Sequence, residues 1–194
     1  MKLIKCNPNK TTITDLKKIF NFLNSHIKNS IFGFFGFNFF IKIIKINYNF
    51  MYYIKENNKI LTYISYVNNT NERLIKNEII KCLLKSPIKN ILGLVLNIKF
   101  FFKFHLPPKK YLQLMHLIIN CKNPKKKSNI NKIISKLHNQ IINSKYVGIY
   151  AMHDRKNIAA TNYYKKNKFK IYKKNFFFTF VKKKLNNFNI KSSA

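Results

Sequence analysis

Two kinds of side chain in this sequence could move a proton or hold an anion. His116 lies in the apolar run 111–121, and imidazole, with an intrinsic pKa of about 6.5, suits general acid–base work near neutral pH. A single histidine on an apolar strand is equally a satisfied core residue, and whether His116 faces a cleft depends on strand phase. Lys125, Lys126 and Lys127, with Lys132 close behind, precede a segment of helical apolar spacing. Lysines beside the free N–H groups of a helix N-terminus suit a phosphate; the same run also reads as a solvated charged surface. The remaining reactive types lead nowhere. Cys6, Cys82 and Cys121 are far apart and form no zinc spacing, and the five histidines are scattered, so no metal is expected. No His–Asp pattern surrounds Cys121 to make it a nucleophile.

The elements that must position these residues follow from apolar periodicity. Residues 1–6 alternate as a first strand. Thr12 or Thr14 can cap a helix with Asp15 in its first turn, and Leu16, Ile19, Phe20, Leu23 and Ile27 give it one apolar face. Residues 31–46 continue as a more apolar helix with Gly33 and Gly36 near its start. Residues 50–54 and 60–67 read as a hairpin around Asn57-Asn58, since Asn tolerates positive φ. Helices are expected over 71–84 and 88–104, ended by Pro87 and by Pro107-Pro108. Next come a strand over 111–121, a basic loop over 122–128 and a helix over 129–143. A strand over 146–152, a short helix over 157–166 and strands over 169–172 and 176–181 complete the order.

At 194 residues with 46% hydrophobic content the chain suits one folded domain. We expect that domain over 1–184, with a helical insertion over 71–106 and a frayed tail over 185–194. The formal charge of +33 rests on 38 basic and 5 acidic residues. Gly numbers only 4, where roughly a dozen is average. Ala, Val, Asp and Glu are also scarce, and all five share codons beginning with G, while abundant Lys, Asn, Ile, Phe and Tyr have A/T-rich codons. An AT-rich genome accounts for this profile without a dedicated polyanionic partner, so no specific nucleic-acid partner is expected. The charge would still attract an anionic ligand, RNA or anionic lipid. The runs 31–41 and 91–106 fall short of about 18 uninterrupted apolar residues and are expected as core or interface helices, with a peripheral membrane contact and a homodimer left open. Odd cysteine count and the absence of a secretory leader give a cytoplasmic expectation.

The second half of the element order resembles the GNAT superfamily of N-acetyltransferases. Its C-terminal signature, approximately N-x-x-A-x-x-F-Y-x-K-x-G-F, is matched by Asn157, Ala160, Tyr164, Lys166 and Phe169, with Tyr163 for Phe and Lys168 for Gly. The family's pyrophosphate loop, V-x-P-x-x-[QR]-x-x-G-x-[GA], resembles the stretch after Cys121. There Pro124 is followed by Lys126 in place of Gln/Arg, and Asn129 and Asn131 stand for the two glycines. The segment Ile31 to Lys45, followed by the hairpin and a long apolar insertion, resembles GNAT proteins of bacterial envelope-sugar pathways.

The resemblance implies an α/β fold, with a mixed central sheet of about six to seven strands flanked by helices. It implies acetyl-CoA as acetyl donor and an amine acceptor of unknown identity, an amino-sugar or another small amine ahead of a protein N-terminus or lysine. Cofactor contacts would fall on Ile119 and Cys121 at the strand end, on Lys126, Lys127, Ser128, Asn129, Ile130, Asn131 and Lys132, and on Asn157, Ala160 and Tyr164. Tyr164 would be the general acid. His116 would be the base, because the family's usual Glu is missing from residues 111–121. A basic RNA- or membrane-binding protein that kept the fold and lost catalysis is the alternative, favoured by Asn at the glycine positions.

Overall fold

The computed structural model describes residues 1–27, 30–85, 108, 110–142 and 146–184. The helix expected over 88–104, most of the insertion and the expected tail lie outside them. Strand β1 (Lys2–Lys5) leads into α1 (Ile13–His26), where Thr12 is the cap and its Oγ1 accepts from the Asp15 N–H at 3.2 Å. The Asp15 carboxylate then pairs with Lys55 at 2.6 Å, tying α1 to the sheet. Helix α2 (Ile31–Asn47) is not continuous as expected. Gly36 takes φ +81° and ψ −178°, a conformation open to Gly because it has no Cβ, and it kinks the helix. The stretch 31–50 has the length and mean hydropathy, 1.2, of a membrane span. A third of it is buried, with Phe32, Phe39, Phe40, Ile43 and Ile44 packed in the core.

Strands β2 (Met51–Glu56) and β3 (Lys59–Val67) form the expected hairpin. Asn57 and Asn58 carry φ of 46° and 64°, the two successive positive values of a type I′ turn. Helix α3 (Asn69–Leu84) is capped by Asn68, whose Oδ1 accepts from the Asn71 N–H at 2.7 Å. After β4 (Tyr111–Ile119) comes α4 (Pro124–Ile142), then β5 (Gly148–Asp154), α5 (Ile158–Lys166), β6 (Lys170–Lys174) and β7 (Phe178–Lys184). The seven strands make one sheet in the order β1-β2-β3-β4-β5-β7-β6. All neighbours are antiparallel except β4 and β5.

Each face of the sheet has its own core. Ile130, Ile134, Leu137 and Ile141 of α4 pack with Tyr164 and Phe169 over Ile54, Ile64, Leu112, Leu114 and Ile149. Leu16, Ile19 and Leu23 of α1 join the α2 aromatics over Met51, Tyr53 and Tyr63 on the other face. Each such side chain contributes about 1.5–3 kcal/mol by leaving water, an upper bound because the unfolded chain already buries part of it.

Candidate active site

The parallel pair β4–β5 is where the sheet opens. Tyr111 to Leu114 pair with Gly148 to Ala151, and beyond these four residues the strands part. The remainder of β4 keeps its other neighbour, with Ile119 still opposite Thr62 of β3. Among the described residues, 115–119 therefore have no strand partner on the β5 side. Their backbone donors and acceptors can bond an extended ligand there, by the same logic as an edge strand.

A bulge sits at the fork. Ser65 pairs with His116 but Tyr66 pairs with Leu114, so Met115 is one residue too many on β4. In a regular strand Leu112, Leu114, His116 and Ile118 would share a face. The extra residue shifts the phase. Leu117 and Ile119 join Leu112 and Leu114 in the α4–α5 core, while Ile118 packs in the α1–α2 core. His116 is turned to that second face, where its Nδ1 lies 2.8 Å from Ser65 Oγ and its ring 6.0 Å from that of Phe32.

The side chain of His116 lines a cavity of about 130 Å³ between β3, β4 and helices α2 and α3. Its walls are mostly aliphatic and aromatic. Glu72, in the first turn of α3, also lines it. The Glu72 residue is 4% exposed; Oε1 pairs with Lys76 at 3.0 Å, and Oε2 has no partner among the described residues. The usual carboxylate is missing from the strand, and this one takes a place in the same pocket. In the sequence an acid one turn into a capped helix reads as a complement to the helix dipole, so nothing distinguished it.

Tyr164 stands on the opposite face. It is buried, stacks on His153 at 5.3 Å and meets Phe169 edge-on at 5.0 Å. It also borders a larger cavity of about 670 Å³ with Arg155 and Thr161. Burial pushes its phenol well above the ordinary range, with Tyr163 adding to the shift. Asn157 caps α5, its Oδ1 accepting from the Ala160 N–H at 2.9 Å, and Ala160 packs against the core. Ile119 and Cys121 are half-buried against the same core.

The junction between β4 and α4 departs from expectation. Of the basic loop expected over 122–128, only Lys122 and Asn123 are loop. Helix α4 begins at Pro124, suited to the first helical position by its fixed φ and missing N–H. Asn123 caps it, accepting from the Lys126 N–H at 3.1 Å through Oδ1 and from the Lys127 N–H at 2.9 Å through its carbonyl. Ser128, Asn129, Ile130, Asn131 and Lys132 are all inside the helix. Neither Asn129 nor Asn131 takes positive φ, and from Lys127 onward the N–H groups are engaged in intrahelical bonds. Ile130 is fully buried in the core. Lys126 pairs with Glu56 in the β2–β3 turn, while Lys125, Lys127 and Ser128 are exposed on the first turns.

The other glycine substitution behaves differently. Lys168 stands where the signature has Gly and takes φ +61°. Its N–H bonds the Lys165 carbonyl and the Phe169 N–H bonds that of Tyr164, the paired bonds of a Schellman cap. The left-handed position has been kept even though the glycine has not.

No protein-family model matches the sequence, and no curated protein matches it. Solved structures match over nearly the whole chain. Campylobacter jejuni N-acetyltransferase PseH superposes with a TM-score of 0.53 at 17% identity, covering 95% of this chain and 98% of its own. An N-acetyltransferase from Staphylococcus aureus gives 0.56 at 14% identity, covering 94% and 100%. The chain has the GNAT fold. The ribosomal-protein-S18-alanine N-acetyltransferase of Escherichia coli shares it at a TM-score of 0.55 and 7% identity, over 98% of this chain and 97% of that one. At these identities the likeness is one of fold.

Proposed function

We propose that the protein is an N-acetyltransferase that takes its acetyl group from acetyl-CoA and passes it directly to a small amine. The observation that carries this is the fork between β4 and β5, with the Met115 bulge turning His116 into a pocket beside it. The same fold in a crystal structure of Campylobacter jejuni PseH in complex with acetyl coenzyme A supports the donor.

The residues fit that donor in part. The free edge of residues 115–119 suits the amides of a pantetheine arm, ending at Ile119 and Cys121. Lys125, Lys127 and Lys132 supply charge for the phosphates at the start of α4, with Ser128 beside them. Asn157 and Ala160 open α5 on the same side of the sheet. The helical Asn129 and Asn131 offer no loop of free N–H groups, so the diphosphate is held by side-chain charge more than by backbone. Acetyl-CoA, when bound, supplies an activated acyl group as a thioester. His116 takes the proton from the acceptor ammonium, its ring held by Ser65 at 2.8 Å. Tyr164 keeps its proton on Oη, because burial disfavours the phenolate, and is the group able to donate it.

Calorimetric titration with acetyl-CoA at two salt concentrations tests the reading. A saturable, near one-to-one isotherm is expected. Tyr164→Phe should lose far more turnover than acetyl-CoA affinity, about 10²-fold or more in turnover, the scale of general acid catalysis. If acetyl-CoA does not bind, the second reading, a GNAT-fold protein without catalysis that binds RNA or lipid, takes its place. The helical Asn129–Asn131 backbone favours that second reading.

A further inference from the structure

We infer that the pocket beside His116 receives a compact, apolar primary amine, with Glu72 holding its ammonium. This rests on the acetyltransferase reading for the reaction, though not for the binding. A carboxylate that is 4% exposed and leaves Oε2 without a hydrogen bond among the described residues is costly, by about 1–3 kcal/mol for an unsatisfied buried acceptor. Lys76 occupies only Oε1, and an ionised carboxylate has acceptor sites left for a second donor. A protonated amine supplies N–H donors for Oε2, beside the charge that Lys76 already places on Oε1.

The rest of the pocket fixes the body of that amine. Ile31, Phe32, Phe39, Ile43, Val67 and Ile75 form its walls. Hydroxyl groups placed against them would lose water, and Ser30, Asn47 and Ser65 of the lining are already engaged, Ser30 with the Phe32 N–H, Asn47 with Tyr66 and Asn71, and Ser65 with His116, which disfavours an amino-sugar. The volume, about 130 Å³, approaches that of an apolar protein cavity that admits benzene, on the order of 150 Å³. An aminomethyl group on a ring or on a short branched chain fits this space. His116, held by Ser65, lines the same pocket from the sheet side.

Calorimetry of the full chain with benzylamine, without acetyl-CoA, tests the inference, with toluene and glucosamine as comparators. Benzylamine should bind saturably, toluene more weakly and glucosamine not at all. Glu72→Gln should weaken benzylamine by about tenfold or more, the scale of a hydrogen bond to a charged group, while leaving acetyl-CoA affinity within about twofold. Ile75→Phe, which narrows the cavity and keeps the carboxylate, should also exclude benzylamine and serves if Glu72→Gln fails to fold. Failure of benzylamine to bind, equal binding of glucosamine, or indifference to both substitutions overturns the inference. Benzylamine binding in a protein that ignores acetyl-CoA would support the pocket and remove the acetyltransferase reading; acetyl-CoA binding without benzylamine binding would do the reverse.

Discussion

Lys168 and His138 show single residues working against their own chemistry. A non-glycine residue in the left-handed region costs about 1–2 kcal/mol, and Lys168 bears that cost at the cap of α5. Lys168→Gly should therefore stabilise the protein by about 1 kcal/mol, read as a raised urea midpoint at unchanged slope. His138 is 2% exposed and lies edge-on to Tyr66 at 5.8 Å. Burial, with Lys183 adding to it, lowers its pKa to about 3. In the unfolded chain the imidazole titrates near about 6.5, so between these values the unfolded state holds the extra proton. Stability is whole above about pH 6.5 and falls as pH drops toward 3, by on the order of 1 kcal/mol per unit. Denaturation at pH 7 and 5 should show wild type losing more stability than His138→Leu. Equal losses would place the acid sensitivity elsewhere.

At the scale of elements, the β4 bulge carries the most. It bends the strand where β5 departs and sets which face His116 takes, so geometry and chemistry depend on one extra residue. Deleting Met115 restores a regular ladder with β3 and removes the bend. The variant should fold, with the β4–β5 pairing extended past Leu114, and should lose about tenfold or more in acetyl-CoA affinity. Circular dichroism and calorimetry together check this, and unchanged affinity would separate the bulge from the cofactor. The α4 boundary shows why this region was hard to read. Pro124 is a turn signal in one context and a first-turn helix residue in another, and only the Asn123 cap decides between them. The strand phase was hidden for a similar reason. A bulge is a property of a strand pair, and no residue near Met115 announces it.

For the whole molecule, charge is the dominant long-range fact. All five acidic residues are engaged: Asp15 with Lys55, Glu56 with Lys126, Glu72 with Lys76, Glu78 with Lys42 and Lys81, and Asp154 Oδ1 with the Lys156 N–H. The other cations are left to set up a positive field. An anionic cofactor should then weaken by about three- to tenfold between low and physiological salt, while cationic benzylamine, which that field repels, should not weaken in step with it. Isotherms at two salt concentrations distinguish these. The sequence by itself determined the order of strands and helices among the described residues, the Asn57-Asn58 hairpin, a threonine cap on α1 and the α5 signature. Each of these rests on contacts within a few residues, where periodicity and capping chemistry are written directly. Only the tertiary structure decided the β4–β5 fork, the face of His116, the kink at Gly36 and the place of Glu72 in the pocket. Those depend on how strands distant in sequence pair and pack, and a linear pattern of residue types does not encode the partner against which a phase is counted.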